Sequence, residues 1–377
     1  MRFLHCSDLH LGRRLCELDL LEDQKYILDQ LLDIAASEGV DAVLVAGDVY
    51  DKGVPSLGAV ALLDRFLTAL CERHTPVYLI SGNHDSAERL AFGGRLLESS
   101  GVHLASAFGG RLERFVLEDG HGPVCLWALP FVRPSAVRAA LPEEQIGDYT
   151  GAVEALVRRA APDRGCRNLL LAHQFVTSGG AGPETCDSET VNLGTLDNVD
   201  MGVFEPFDYV ALGHIHTPQP VGRDTVRYCG APLAYSVTES RRAKTATVVE
   251  LGAKGEVRLN ELPLSPLRPV RRLKGPLEAL LQSAERSGDY IYAVLTDETP
   301  PLDAAARLRS VYPNLARLEF DLANRPARQA PGPDPATLAR RTPADLFAEF
   351  YEQVHGRPLS QEEQAMLERA LEREGQA

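Results

Sequence analysis

The sequence has little that could cross-link it and nothing that would hold it in a bilayer. Its seven cysteines (Cys6, Cys16, Cys71, Cys125, Cys166, Cys186 and Cys229) are scattered and show no Cys-x-x-Cys spacing. That excludes a disulfide framework or a zinc ribbon and fits reduced core thiols. No charge-free apolar run approaches the roughly 20 residues that a membrane-spanning helix needs. No basic, apolar leader precedes the first strand-like run, so no signal peptide is expected and the expected compartment is the cytoplasm. Positive charge is also short: 39 Lys and Arg face 53 Asp and Glu, for a formal net charge of −14. A simple nucleic-acid-binding module is usually basic, so tight DNA binding by this chain alone is disfavoured. A nuclease is not excluded, because divalent ions would add positive charge at a site and a partner chain could supply phosphate-binding surface.

What the sequence does have is size and a repeated pattern. At 377 residues it exceeds one typical domain, so a large catalytic unit with additions is expected. Its hydrophobic content of 44% can supply a sizeable core. The organising stretch is Ala42-Val43-Leu44-Val45-Ala46-Gly47-Asp48, a short apolar run that reads as a strand buried on both faces. Such strands belong to α/β folds, whose ligands sit beyond the carboxyl ends of the strands. Four other runs end in the same way. Arg2 to Cys6 leads into Ser7-Asp8-Leu9-His10, and Val77 to Ile80 into Ser81-Gly82-Asn83-His84-Asp85. Asn168 to Ala172 stops at His173, and Tyr209 to Gly213 stops at His214-Ile215-His216.

Asp8, His10, Asp48, Asn83, His173, His214 and His216 thus supply two carboxylates, one amide and four imidazoles to one crevice. Mixed nitrogen and oxygen donors of this kind suit two divalent ions of the manganese, iron or zinc type. A pair of ions needs a shared ligand, and Asp48 is the natural bridge. Asp8, His10, Asp48 and His216 would hold one ion, and Asp48, Asn83, His173 and His214 the other, although spacing alone leaves that partition open. Ions about 3.5–4 Å apart clamp a phosphate and drive in-line displacement. His84, next to a ligand, is read as the general acid that protonates the leaving oxygen. Asp51 is either the residue that orients His84 or a turn residue. Asp85-Ser86-Ala87-Glu88 reads as a capping box, with Asp85 as the N-cap. Arg13, Arg14, Lys52 and Arg89 flank the motifs and are candidate DNA contacts, although flanking basic residues are more often only solvated.

Elsewhere, helices are expected near Asp19 to Glu38, Leu57 to Glu72 and Ala152 to Ala161, with a hairpin pairing Ala246–Leu251 and Glu256–Leu262. The expected divisions are a catalytic domain over 1–265, a small α+β accessory domain over 266–324, a proline-rich linker over 325–341 and two helices over 342–377. Thr342-Pro343 opens the first of these helices, whose stripe includes Leu346, Phe347, Phe350 and Tyr351. Ser360-Gln361-Glu362-Glu363 is a capping box for the second. Two short helices beyond a linker cannot bury such a face alone, so it is read as a partner-binding surface.

Gly47-Asp48-Val49-Tyr50-Asp51, Gly82-Asn83-His84-Asp85 and Gly213-His214-Ile215-His216 resemble the calcineurin-like metallophosphoesterase superfamily. Leu4-His5-Cys6-Ser7-Asp8-Leu9-His10-Leu11-Gly12, Gly230-Ala231-Pro232 and the terminal helix pair resemble, within it, the SbcD nuclease subunits of bacterial SbcCD complexes. The resemblance implies an α/β sandwich of two mixed sheets flanked by helices, plus a capping domain and a C-terminal helix pair. It implies manganese-dependent cleavage of DNA as a double-strand 3'–5' exonuclease and a single-strand and hairpin endonuclease. It also implies homodimerisation and an SbcC-type coiled-coil ATPase docked on the terminal helices, giving a heterotetramer that serves repair, replication and recombination. It carries the ligand roles onto the seven residues above and the acid role onto His84. The local departure is Ala172-His173-Gln174, where many members have Gly-His. The alternative is a stand-alone metallophosphoesterase acting on a nucleotide or phosphoprotein, which would need no linker or exposed helix pair. A non-catalytic scaffold would be expected to have lost ligands.

Overall fold

The computed structural model describes residues 1–189, 197–283 and 287–321, and beyond these 344, 347–348, 351–352, 357–360, 363–364 and 366–367. The chain divides into two units, residues 1–321 and 322–377.

Alternation of side chains along each strand explains the architecture of the first unit. The first sheet has the order Val257–Leu264, Lys244–Leu251, Arg2–Cys6, Ala42–Ala46, Val77–Ile80, Val102–Leu104. The second has the order Gln219–Val221, Arg223–Tyr228, Tyr209–Gly213, Arg167–His173, Gly122–Leu129, Glu113–Asp119. Phe3, Leu44, Ala46, Tyr78 and Ile80 point from one sheet into a shared core with Leu126, Ala128, Leu169, Leu171 and Ala211 from the other. Their neighbours Leu4, Cys6, Val43, Val45 and Leu79 point the opposite way, under the helices Leu21–Ser37 and Leu57–Glu72. Trp127, Leu170, Ala172, Val210 and Leu212 face the helices Pro134–Ala140 and Tyr149–Ala160 in the same manner. Central strands are therefore apolar on both faces, which is why they read as continuous apolar runs. The result is a four-layer sandwich: helices, sheet, sheet, helices.

The expected helix over Leu57 to Glu72 is present, with Ser56 accepting from Ala59 N at 3.2 Å as its N-cap. The hairpin is present as Lys244–Leu251 against Val257–Leu264. Asp148 caps the helix Tyr149–Ala160, which starts three residues before the sequence-based boundary. The Asp85 expectation fails. The helix Ala87–Leu90 has Ser86 at its N-cap and no side-chain cap bond, and Asp85 is engaged elsewhere, as described below.

Residues 266–321 carry their own small core of Leu277, Leu280, Ile291, Leu295, Leu308 and Tyr312. Strands and helices alternate there, which makes the sheet parallel: Val270–Gly275 and Leu315–Phe320 both flank Tyr290–Leu295. The helices in it are Leu277–Gln282 and Ala304–Arg309. Arg268 and Tyr290 fasten this segment to the first helix, both reaching Asp23 Oδ2, at 2.6 and 2.7 Å.

In the second unit, the capping box at Ser360 is reciprocal. Glu363 N donates to Ser360 Oγ at 3.3 Å and Ser360 N donates to Glu363 Oε2 at 2.8 Å. Phe347 is exposed and Tyr351 half-buried, whereas Leu346, Phe350 and the linker 325–341 lie outside the described residues.

Candidate metal centre

Five strands from both sheets deliver their ends to one place. The strands Arg2–Cys6, Ala42–Ala46 and Val77–Ile80 of the first sheet are mutually parallel, as are Arg167–His173 and Tyr209–Gly213 of the second. All seven expected ligands therefore meet where the carboxyl ends of the sheets face each other. The strand ends approach so closely here, once between the sheets and once within the first sheet, that side chains have no room at two points. A Cβ on Gly213 would lie 1.8 Å from Ala46 O, and one on Gly82 would lie 2.0 Å from Asp48 Oδ1. Asp8, His10, Asp48 and His214 take φ of 53°, 43°, 46° and 106°, in the left-handed region that non-glycine residues avoid. Four such residues in one cluster are held there by the surrounding packing, which is how pre-formed sites store strain.

The donors fall into two groups around Asp48. His10 Nε2 lies 3.1 Å from His216 Nε2, with Asp8 in the same group of metal-capable atoms. His173 Nε2 and His214 Nδ1 lie 3.1 and 3.0 Å from Asn83 Oδ1. Asp48 Oδ2 sits between them, 3.6 Å from His10 Nε2 and 3.5 Å from His173 Nε2. His10 Nδ1 is buried without a hydrogen-bond partner. Two imidazole nitrogens face to face and mixed nitrogen and oxygen donors together fit divalent transition ions.

Burial and the charges of neighbouring groups set the protonation of these side chains. Burial holds His10 well below the ordinary histidine value and lowers His214 to about 3, so both present neutral rings. Burial also disfavours charge on His173, but the Asp48 carboxylate outweighs it and raises His173 to about 9. His216 is likewise raised, because Glu239 overcomes the effect of burial. Burial alone would push Asp48 up, yet the charge of His173 and its hydrogen bond leave Asp48 well below the carboxylate range. Asp8 is raised, chiefly by burial.

Residues outside the set of seven donors hold this constellation. The carboxylate of Asp85 accepts from Val49 N at 3.1 Å, Tyr50 N at 2.8 Å and Gly82 N at 2.9 Å, clamping the loop after Asp48 to the loop before Asn83. Gln24 accepts from Gly12 N and donates to His10 O, at 2.9 and 2.7 Å. Glu239, Ser188 and Lys244 surround His216. Gln24, Ser188, Glu239 and Lys244 carry no motif signal, whereas Asp85 is singled out by spacing but for a helix cap it does not make.

His84 lines an open groove of about 590 Å³ together with Arg13, Arg14, Lys52, Asp51 and Ser188, while Arg89 is not part of its lining. His84 Nδ1 donates to the backbone carbonyl of Asp51 at 3.0 Å. The expected contact is therefore made by the main chain. The Asp51 carboxylate instead lies 3.3 Å from Arg13 Nη1 and 3.9 Å from His10 Nδ1. Arg13 is further held by Ser188 O at 3.0 Å and over the Tyr235 ring, and Arg89 donates to Gly53 O at 3.2 Å.

Residues 1–218 match the calcineurin-like phosphoesterase family, and the chain belongs to it. Within that class the chain belongs with the SbcD nuclease subunits: it is 33% identical over 332 residues to the SbcD subunit of the SbcCD nuclease of Staphylococcus epidermidis, covering 84% of this chain and 85% of that one. Residues 266–355 match a second family, described as the type 5 capsule protein repressor C-terminal domain. Among solved structures the chain is similar to TT1561 of Thermus thermophilus, at 12% identity and a TM-score of 0.41, covering 69% of this chain and 98% of that one. It is also similar to a dimetal phosphatase from Danio rerio, at 11% identity and a TM-score of 0.42, covering 69% and 95%. The chain is a metal-dependent phosphodiesterase. Among the described residues no helix is long and apolar enough to cross a membrane.

Proposed function

We propose that this chain is the two-manganese DNA nuclease subunit of an ATP-driven SbcCD-type complex. In this reading it degrades duplex ends 3'–5', cuts single strands and hairpins, and serves DNA repair, replication and recombination in the cytoplasm. The observation that carries the proposal is the position of Asp48 Oδ2 between His10 and His173, one carboxylate shared by two donor groups.

Asp8, His10, Asp48 and His216 would hold one ion, and Asp48, Asn83, His173 and His214 the other. When bound, the two ions supply Lewis-acid stabilisation of the phosphoryl oxygens and activation of the nucleophile. The chain's own part is positioning and proton transfer. Because His84 Nδ1 is committed to the Asp51 carbonyl, a proton on Nε2 is the one His84 can give to the leaving oxygen. Arg14 and Lys52, which line the groove beside His84, would bind the phosphate backbone. Arg13 is tied to Asp51, Ser188 and Tyr235, and would shape the groove wall as much as touch DNA.

Two further elements of the reading concern assembly. Leu57 (90% exposed), Phe92 (87%) and Leu96 (81%) lie on adjoining segments bridged by the Arg89 to Gly53 bond. Large apolar side chains left this exposed are the support for a homodimer in this reading. The helix pair of 342–377, with Leu346, Phe347, Phe350 and Tyr351 as contacts, would bind the coiled-coil ATPase and give a heterotetramer.

The test is incubation of the purified protein and Mn²⁺ with end-labelled linear duplex DNA, beside a chromogenic small phosphodiester. Metal-dependent release of 3'-terminal nucleotides is the expected result. Hydrolysis of the small diester with intact DNA, in the presence of the ATPase partner and ATP, would overturn the proposal in favour of a stand-alone phosphoesterase.

A further inference from the structure

We propose that Glu239 is the positioning residue of His216, and that Lys244 holds Glu239 in that role. The proposal rests on the reading of His216 as a metal ligand. Glu239 opens the short 3-10 turn Glu239–Arg241 ahead of the strand Lys244–Leu251, and its side chain has no exposure to solvent. A buried carboxylate is costly unless it is paired and fully hydrogen-bonded. Glu239 meets that condition with three partners: Oε1 accepts from His216 Nδ1 at 3.1 Å and from the Ser188 hydroxyl, and Oε2 accepts from Lys244 Nζ at 2.6 Å.

The chemistry of this arrangement dictates a tautomer. A carboxylate flanked by an ammonium and a hydroxyl can only accept, so His216 Nδ1 carries a proton. The lone pair available for a metal is then on Nε2, the nitrogen 3.1 Å from His10 Nε2. Lys244 grips the same histidine twice, once through Glu239 and once by donating to His216 O at 3.1 Å. Glu189 completes the cradle by accepting from His216 N at 2.5 Å.

Two of the other proposed ligand imidazoles, His173 and His10, have no carboxylate within hydrogen-bonding distance of Nδ1, the nearest to His10 being Asp51 at 3.9 Å. His173 Nδ1 donates to a neutral acceptor, Ala46 O, at 2.8 Å. His10 Nδ1 has no hydrogen-bond partner. A carboxylate behind a ligating histidine fixes its ring and strengthens it as a donor. Glu239 therefore acts on one ion of the pair and leaves the other alone, an asymmetry that the ligand motifs do not contain.

Calorimetric titration of the full chain with Mn²⁺, resolving the two binding steps, is the test. Glu239→Gln is expected to weaken one step about 10–100-fold and leave the other within about twofold, the usual worth of an outer carboxylate. Lys244→Met should weaken the same step to a lesser degree. His216→Ala separates this proposal from the reading beneath it. Should His216→Ala leave both steps intact, His216 is not a ligand and the assignment of the metal centre falls. Should His216→Ala lose a step while folded Glu239→Gln keeps both affinities, the positioning role alone falls. If Glu239→Gln does not fold, Lys244→Met decides by the same criterion.

Discussion

Asp85→Ala is the perturbation that tests most sharply how the site is held together. The side chain is partly buried and accepts three main-chain N–H groups, two from the loop after Asp48 and one from the loop before Asn83. Each bond to a charged acceptor is worth about 1.5–3 kcal/mol net, and a stranded amide costs about 1–3 kcal/mol. Those gains are offset by ionisation. Burial, reinforced by the nearby Asp48 charge, raises the Asp85 carboxyl to about 6. At neutral pH the folded protein therefore holds a charge it disfavours, by up to about 3 kcal/mol before allowance for partial exposure. The balance predicts a net loss of about 2–4 kcal/mol for Asp85→Ala at pH 7.5.

The pH dependence fixes the sign of the ionisation part. A carboxyl raised in the folded state contributes stability that is fully present below its unfolded value near 4. That contribution is lost as pH rises through its folded value near 6. Wild type is thus penalised more at pH 7.5 than at pH 5, so the cost of Asp85→Ala should shrink by about 1 kcal/mol across that interval. Urea denaturation at the two pH values measures both quantities. A second assay, Mn²⁺ calorimetry, should show weakened binding, because the loops carrying Asp48 and Asn83 lose their common tether. A loss under about 1 kcal/mol at both pH values, with unaltered metal affinity, would refute the clamp.

Asp48→Ala removes the proposed shared ligand and should abolish both Mn²⁺ binding and cleavage; two ions still seen by calorimetry would disprove the bridge. His84→Gln should retain metal and DNA binding and slow turnover about 10²–10⁴-fold. His84 also has a nitrogen within metal-capable range of His10 and Asp48, so loss of metal along with rate would make it a ligand. Deleting 342–377 should leave manganese-dependent digestion of open ends intact and remove co-elution with the ATPase on a sizing column. Leu57→Glu combined with Phe92→Glu should convert the proposed homodimer to a monomer in analytical ultracentrifugation without unfolding it; a wild-type chain that already sediments as a monomer would remove that element of the proposal.

The positions of the seven donors were legible because a buried parallel strand advertises its own end. Val43, Val45 and Leu44 alternate between two covered faces and leave no polar residue in the run. The first polar residue beyond such a run is therefore at a sheet edge, and five such edges in one α/β fold converge on one crevice. Tyr149 to Thr150, by contrast, gave no apolar signal, so the Asp148 cap and the first turn of its helix went unread. The parallel pair Phe175–Thr177 and Asn198–Asp200 was equally silent, its strands being too short to show a period.

The supporting residues were illegible for a different reason. Asp85 satisfies the local grammar of a capping box, and sequence spacing cannot say whether a carboxylate binds the helix after it or a loop 35 residues before it. The structure chooses the loop, because three amides that would otherwise be stranded between the strand ends outweigh one amide at the start of a four-residue helix. Asp51 teaches the converse. The sequence brought it to His84, but the bond is made by its carbonyl, an atom every residue possesses. Its carboxylate is left to Arg13 and His10. Ligand identity is thus written in residue types at strand ends, whereas ligand orientation depends on distant acceptors and main-chain atoms. Variants at Asp51 should accordingly disturb the groove wall and His10 more than the orientation of His84.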